Sequence, residues 1–202
     1  MGFEALFEKG RRFDVATVEP VQAGTLRITS GTIAVCDPSS DGEDGVLERR
    51  VPNGAYPVLV SRELLHATGE PVIAAAIVRF RDASIAGWQP ALPKGKNQAD
   101  LEPGQHFGYG VDAGIACFVD GALACKLDFE HFEAKVVPKL QAIGGPARCG
   151  EVELNAASLV AFNSGVGDGF YVSFWGIDAQ GEVPLAARGY GGACSARAPA
   201  TT

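Results

Sequence analysis

Two glycine-rich segments carry most of the side chains that could do chemistry in this 202-residue chain. The first reads Gly108-Tyr109-Gly110-Val111-Asp112-Ala113-Gly114-Ile115-Ala116-Cys117-Phe118-Val119-Asp120 and brings two carboxylates and a thiol into one short stretch. Asp112 and Asp120 could bind a cation or serve as an acid and a base. An architectural reading competes with this: the glycines permit tight backbone geometry, and Asp120 caps a following helix by accepting hydrogen bonds from its free amides. The second segment, Asn163-Ser164-Gly165-Val166-Gly167-Asp168-Gly169-Phe170-Tyr171, has Asp168 as its only charged residue. Its glycines expose amides, but neither the GK[ST] sequence and helix of a phosphate loop nor the spaced carboxylates of a calcium loop follow. A wide turn in which Asp168 holds its own backbone is the architectural alternative.

Cys117 lies in an apolar run, where cysteine serves more often as a small core residue than as a nucleophile. The histidines, His66, His106 and His131, form no HxxxH pair. His106 stands beside the first glycine-rich segment, so Cys117, His106 and Asp112 could formally make a thiol-protease set, whereas Ser164 lacks the GxSxG elbow. The catalytic candidates are therefore Asp112, Asp168, His106 and Cys117, and the metal candidates are Asp112, Asp120 and Asp168. Neither a metal nor a cofactor is expected, because a chain of this length can bury a sufficient core without one and has no CxxC pair.

A third stretch, Asp37-Pro38-Ser39-Ser40-Asp41-Gly42-Glu43-Asp44-Gly45, is acidic and rich in turn formers, which predicts an exposed loop. Its Asp37, Asp41, Glu43 and Asp44 are candidate contacts for a basic protein partner. The formal net charge of -7, from 17 basic and 24 acidic side chains, disfavours nucleic acid, whose phosphates are bound through lysine and arginine. The opening residues are acidic where a secretory signal requires a basic start. The longest apolar stretch, residues 72–78, falls far short of the roughly 20 residues of a membrane-spanning helix. Five widely spaced cysteines, an odd number, predict reduced thiols in a cytoplasm.

These residues need elements to position them. Apolar spacing predicts a short helix within residues 3–13. Strands follow at 25–28, 32–36, 56–60, 72–80 and 85–88, with Ser30-Gly31 making a hairpin of residues 26–35. A loop covers residues 90–104. Between 119 and 143 an apolar stripe of Leu123, Leu127, Phe129, Phe132, Val136, Val137 and Leu140 predicts an amphipathic helix, with Lys126, Glu130 and Glu133 outward and Pro138 ending or kinking it. Strands at 159–162, 170–175 and 183–187 complete the pattern, residues 165–169 turning the first into the second. No repeat or composition shift divides residues 1–190, which read as one domain, and residues 191–202 read as a disordered tail. The fold class is mainly β: an antiparallel β-sandwich or half-open β-roll, with one amphipathic helix packed on one face or end, or else a barrel.

Four stretches give the chain a family resemblance: Ala34-Val35-Cys36-Asp37-Pro38, Val51-Pro52-Asn53-Gly54-Ala55-Tyr56-Pro57-Val58, residues 107–120, and residues 163–176 with their ending Phe174-Trp175-Gly176. In these it resembles a bacterial family catalogued as domain of unknown function 4241. That family has Gly-Thr-Gly where this chain has Gly114-Ile115-Ala116, and Tyr-Trp-Gly where it has Phe174-Trp175-Gly176. The resemblance implies a single domain, carries over no activity, and directs attention to Asp37, Gly54, Asp112, Asp120 and Asp168. Two functions are in view. One is a non-enzymatic acidic protein-binding module, such as an immunity or regulatory partner of a bacterial toxin or effector. The other is a hydrolase-like enzyme with a carboxylate-lined, metal-binding cleft.

Overall fold

Short runs of alternating burial, punctuated by glycine and proline, build the strands of this chain. The computed structural model describes residues 3–154, 157–165 and 167–190, and the expected tail, residues 191–202, lies outside the described residues. Among the described residues the strands are β1 (Ala16–Ile28), β2 (Ile33–Cys36), β3 (Gly54–Leu65), β4 (Pro71–Arg79), β5 (Gly87–Pro90), β6 (Tyr109–Val111), β7 (Ile115–Asp120), β8 (Cys149–Leu154), β9 (Ala157–Asn163), β10 (Gly169–Ile177) and β11 (Leu185–Tyr190). All pair antiparallel. The larger sheet runs β1-β3-β4-β11-β10-β5, with β6 pairing the first residues of β10, and the smaller runs β2-β7-β9-β8.

Three apolar layers hold the sheets. Between them lie Leu26, Ile28, Val58, Val60, Val78 and Trp175 from the larger sheet and Ile33, Val35, Ala116, Phe118, Val160 and Phe162 from the smaller. The opposite face of the smaller sheet, with Cys36, Cys117, Val119, Val152, Leu159 and Ala161, packs against Leu127, Phe132, Val136 and Leu140 of the helical segment. Because this sheet is covered on both faces, β7 reads as an unbroken apolar run rather than an alternating one. On the outer face of the larger sheet Ile77, Leu185 and Ala187 meet Phe3 and Phe7 of a short 3-10 turn, Phe3–Phe7. The result is an antiparallel β-sandwich with the helical segment on one face.

The edges are stitched together. A glutamate on β8 reaches β1, where the Thr25 amide donates to the Glu151 carboxylate at 3.0 Å. A Cβ on Gly24 would come within 2.8 Å of the Glu151 Cβ, so that approach depends on glycine. On the other side Val46 bridges Ala34 of β2, and Leu47 bridges Pro93 beyond β5.

Two expected hairpins are absent. Gly31 does take a left-handed φ of 73°, as Ser30-Gly31 predicts, but β1 pairs with β3 and β2 with β7. The Thr29 and Ser30 amides go to the Asp120 carboxylate instead of a neighbouring strand, so the turn passes the chain from one sheet to the other. Likewise β9 belongs to the smaller sheet and β10 to the larger, and residues 163–169 make a second crossing.

The single helix expected over residues 119–143 is also divided. Residues 119 and 120 finish β7; α1 (Gly121–Ala124) is one turn; then come α2 (Phe129–His131), a π turn (Phe132–Val136) and α3 (Val137–Ile143). Asp128, in extended conformation, restarts the helix by accepting from the His131 amide at 2.8 Å. Pro138 does not end the helix. It lies in the first turn of α3, where its missing N–H costs little, and the π turn before it takes up the irregularity. Phe132, Val136 and Leu140 face the sheet as their spacing predicts, whereas Phe129 is 63% exposed.

Phe118 is fully buried between the sheets, its ring 5.5 Å from that of Phe162. Phe118→Ala is expected to lower the unfolding free energy by about 3–5 kcal/mol through the cavity it leaves, read as a shifted urea midpoint with an unchanged slope.

Candidate functional site

Two carboxylates join the turns on either side of the β2–β7 ladder. Asp37 follows β2, and its Oδ2 accepts from the Asp112 and Ala113 amides, at 2.8 and 3.3 Å, in the turn leading into β7. Its Oδ1 accepts from the Ser39 amide and hydroxyl at 2.8 and 2.6 Å. Asp37 is therefore not one of the exposed acids of its loop: it is 5% exposed and occupied by four donors. Asp120 ends β7, and its Oδ2 accepts from the Thr29 and Ser30 amides and the Thr29 hydroxyl in the turn leading into β2. Its Oδ1 accepts from the Ala122 amide at 2.9 Å, the cap expected of it. Burial alone would raise the Asp120 carboxyl, but hydrogen bonds from Ser30, Thr29 and Ala122 outweigh it and hold the group below the ordinary aspartate range.

Of the remaining candidates, Asp112 and Asp168 come near one another, whereas Cys117 is held apart from them. Asp112 and Asp168 are both exposed and lie on neighbouring turns, a Cβ on Gly114 being 3.9 Å from Asp168 Oδ1 and 3.8 Å from the Gly167 Cα. Asp120 closes the far end of β7, about 20 Å from Gly114 at the rise of a strand. His106 is exposed on the loop before β6. Cys117 is fully buried on the face that packs under the helical segment, opposite Cys36 in the ladder, with the two Sγ atoms 3.7 Å apart. The hydrogen bond with Cys36 and burial push the Cys117 thiol well above its usual range, against thiolate chemistry. Among the described residues, no three His, Cys, Asp or Glu side chains are grouped to hold a metal ion. The turn after β9 is closed by Ser164 Oγ and Tyr171 OH, each donating to the Gly167 carbonyl at 2.6 Å, rather than by Asp168.

One charged residue escapes sequence reasoning altogether. Arg188 of β11 is wholly buried between the sheets. Its guanidinium lies 3.9 Å from the centre of the Tyr171 ring and 5.3 Å from that of Phe162. Nε donates to the Tyr109 hydroxyl at 3.0 Å, and Nη1 to the Ser164 carbonyl at 3.3 Å. Burial raises the Tyr109 phenol to about 12, with Arg188 opposing the shift. The signal was parity: Ala186 faces the inter-sheet core, so Arg188, two residues on, must face it too.

What the chain presents outward is the acidic loop. Asp41, Glu43 and Asp44 are exposed, and the last two lie on a 3-10 turn, Glu43–Gly45. The loop is pressed against the body. Its Gly42 amide donates to the Ala124 carbonyl at 3.1 Å, and a Cβ on Gly45 would come within 2.4 Å of the Val35 carbonyl. Asp44 and Gly45 share a shallow depression with Gly108 and Tyr109, and Phe170, 50% exposed, lies against Gly108.

A family model described as a protein of unknown function, DUF4241, matches residues 26–185. The match spans both clamping carboxylates, both glycine-rich segments and the acidic loop, and stops short of Arg188. No curated protein and no solved structure matches the chain.

Asp120→Asn is expected to cost about 1.5–3 kcal/mol at neutral pH, the range for hydrogen bonds to a charged group. Because the folded value is depressed, this stabilisation is full above the unfolded value of about 3.9 and lost as pH falls through the folded one. Denaturation from pH 7 down to pH 2 should show wild type and variant converging below about pH 4. Peptide mapping after alkylation should find the exposed Cys125 modified in the native protein and Cys117 only after unfolding.

Proposed function

We propose that this chain, which belongs to the DUF4241 family, is a non-enzymatic protein-binding module, an immunity or regulatory partner that covers a basic face of a toxin or effector. The observation that carries this reading is the fixed acidic loop. Asp41, Glu43 and Asp44 are exposed, while Asp37, buried behind them, spends its charge on holding the loop's root. A pre-organised set of like charges loses little conformational entropy on binding and accelerates encounter with an oppositely charged partner. The overall charge of -7 acts in the same direction. Phe170 supplies the half-exposed aromatic anchor that interfaces of this kind use, beyond the glycine floor next to the loop. The placement of Asp120 at the far end of β7 and of Cys117 in the core, both away from Asp112, supports a binding role over a hydrolytic one.

The test is affinity capture from native lysate at about 0.1 M salt, where exposed charges are incompletely screened. Wild-type protein is compared with the combined Asp41→Asn, Glu43→Gln and Asp44→Asn variant and with Phe170→Ala. The exposed substitutions should leave stability within about 0.5 kcal/mol. The triple variant should weaken a captured basic protein about tenfold, since three exposed ion pairs are worth on the order of 0.5 kcal/mol each. Capture that is equal for wild type and triple variant, or no capture above control, would overturn the reading.

A further inference from the structure

We propose that Cys36 and Cys117 form an oxidisable pair, in which exchange with a small disulfide such as oxidised glutathione closes a cross-strand bond at the root of the acidic loop. The two residues are 81 positions apart in the chain, yet they are register partners at the end of the β2–β7 ladder. Opposed residues of an antiparallel ladder have Cα atoms about 4.5–5.5 Å apart, inside the ~4.4–6.8 Å that a disulfide spans. The side chains already point the same way. Both lie on the face of the smaller sheet that packs under the helical segment, with their Sγ atoms 3.7 Å apart. Rotation about the two Cα–Cβ bonds is the movement that closes this gap to the ~2.05 Å of a disulfide, with no change of register.

The acidic loop sets access to the pair. Gly42 lies over Cys36: a Cβ there would come within 2.6 Å of the Cys36 Sγ and 3.4 Å of the Ala124 Cβ. A backbone hydrogen bond from the Gly42 amide to the Ala124 carbonyl, at 3.1 Å, pins this part of the loop over the sulfur. Cys36 is 4% exposed and Cys117 is wholly buried, so a local opening of the loop presents Cys36 first. Cys117 holds its proton tightly, through its hydrogen bond with Cys36 and through burial, and is the sulfur that reacts second. Cys149 does not compete for either sulfur, because it packs on the inter-sheet side of the smaller sheet, the opposite face.

The chemistry is two substitutions at sulfur. Cys36 loses its proton to solvent, and its Sγ attacks one sulfur of oxidised glutathione; that S–S bond breaks and one glutathione thiolate leaves. Cys117 then gives up its proton, and its Sγ attacks the Cys36 Sγ; the bond between Cys36 and glutathione breaks, and the second glutathione leaves. Two cysteine thiols are oxidised while one small disulfide is reduced to two thiols. The new bond ties β2 to β7 one residue before Asp37, so a covalent link and the Asp37 carboxylate hold the same loop root. The pair is independent of whatever the loop binds.

The full-length protein is unfolded in urea, refolded in a mixture of reduced and oxidised glutathione, trapped with iodoacetamide in urea and digested without reductant. A peptide pair joined through Cys36 and Cys117, lighter by two hydrogens than the separate peptides, is expected. It should persist in Cys125→Ala and be absent from Cys36→Ala. Native protein given oxidised glutathione alone should form the same link more slowly, since the loop must open first. The thermal midpoint of the linked protein should lie about 5–10 °C above that of the same protein after dithiothreitol, because a cross-link closing so long a loop constrains the unfolded chain. Cys36→Ala should show no such difference. Cys36 and Cys117 both alkylated after oxidative refolding, glutathione retained on Cys36, a link made through Cys125 instead, or a linked protein no more stable than the reduced one would each overturn the proposal.

Discussion

The β2–β7 ladder is short, four residue pairs, and yet the turns at its two ends are tied to it through buried carboxylates. Its strands are secured reciprocally. The carboxylate after β2 binds the amides that lead into β7, and the carboxylate ending β7 binds the amides that lead into β2. Turns that carry the chain between sheets leave amides without ladder partners, and buried amides must find acceptors. Asp37 and Asp120 are those acceptors. Once they are so used, the acidic loop, the turn at residues 112–113 and the start of α1 have fixed positions.

The same constraint gives Asp37 and Asp120 a bracing role in the fold. A carboxylate that accepts from several backbone donors is fixed in place by them, and that of Asp120 is held below the ordinary aspartate range, which suits a brace. Cys117 is withdrawn by a different route, packed under a helix on the second face of a doubly covered sheet.

Much of this was legible in the sequence. The strands β3, β4, β10 and β11, the antiparallel pairing, the helix stripe of Phe132, Val136 and Leu140 and the Asp120 cap follow from periodicity and turn chemistry. Periodicity reports which face a residue shows, but not which neighbour its strand takes. That is why the Ser30-Gly31 and 163–169 turns read as hairpins although they are crossings. The strand β6 is three residues long with an exposed glycine at its centre, too short for any pattern. In β8 the alternation of Val152 and Leu154 with Glu151 and Glu153 was available, but the adjoining glycine and cysteine masked it. A 3.6-residue stripe tolerates a one-residue slip, so the π turn left no trace. Arg188 stayed hidden because arginine ordinarily marks a surface, and only the parity of β11 places it inside.

The position of β11 also bears on how the protein is made. It lies at the middle of the larger sheet, flanked by β4 on one side and β10 on the other, and it is the last of the described strands in chain order. A ribosome that has already released β1, β3 and β4 has delivered three strands of the larger sheet, and the side of β4 away from β3 waits for residues 185–190. Until they emerge, β4 offers a row of apolar, unpaired backbone to any neighbouring nascent chain.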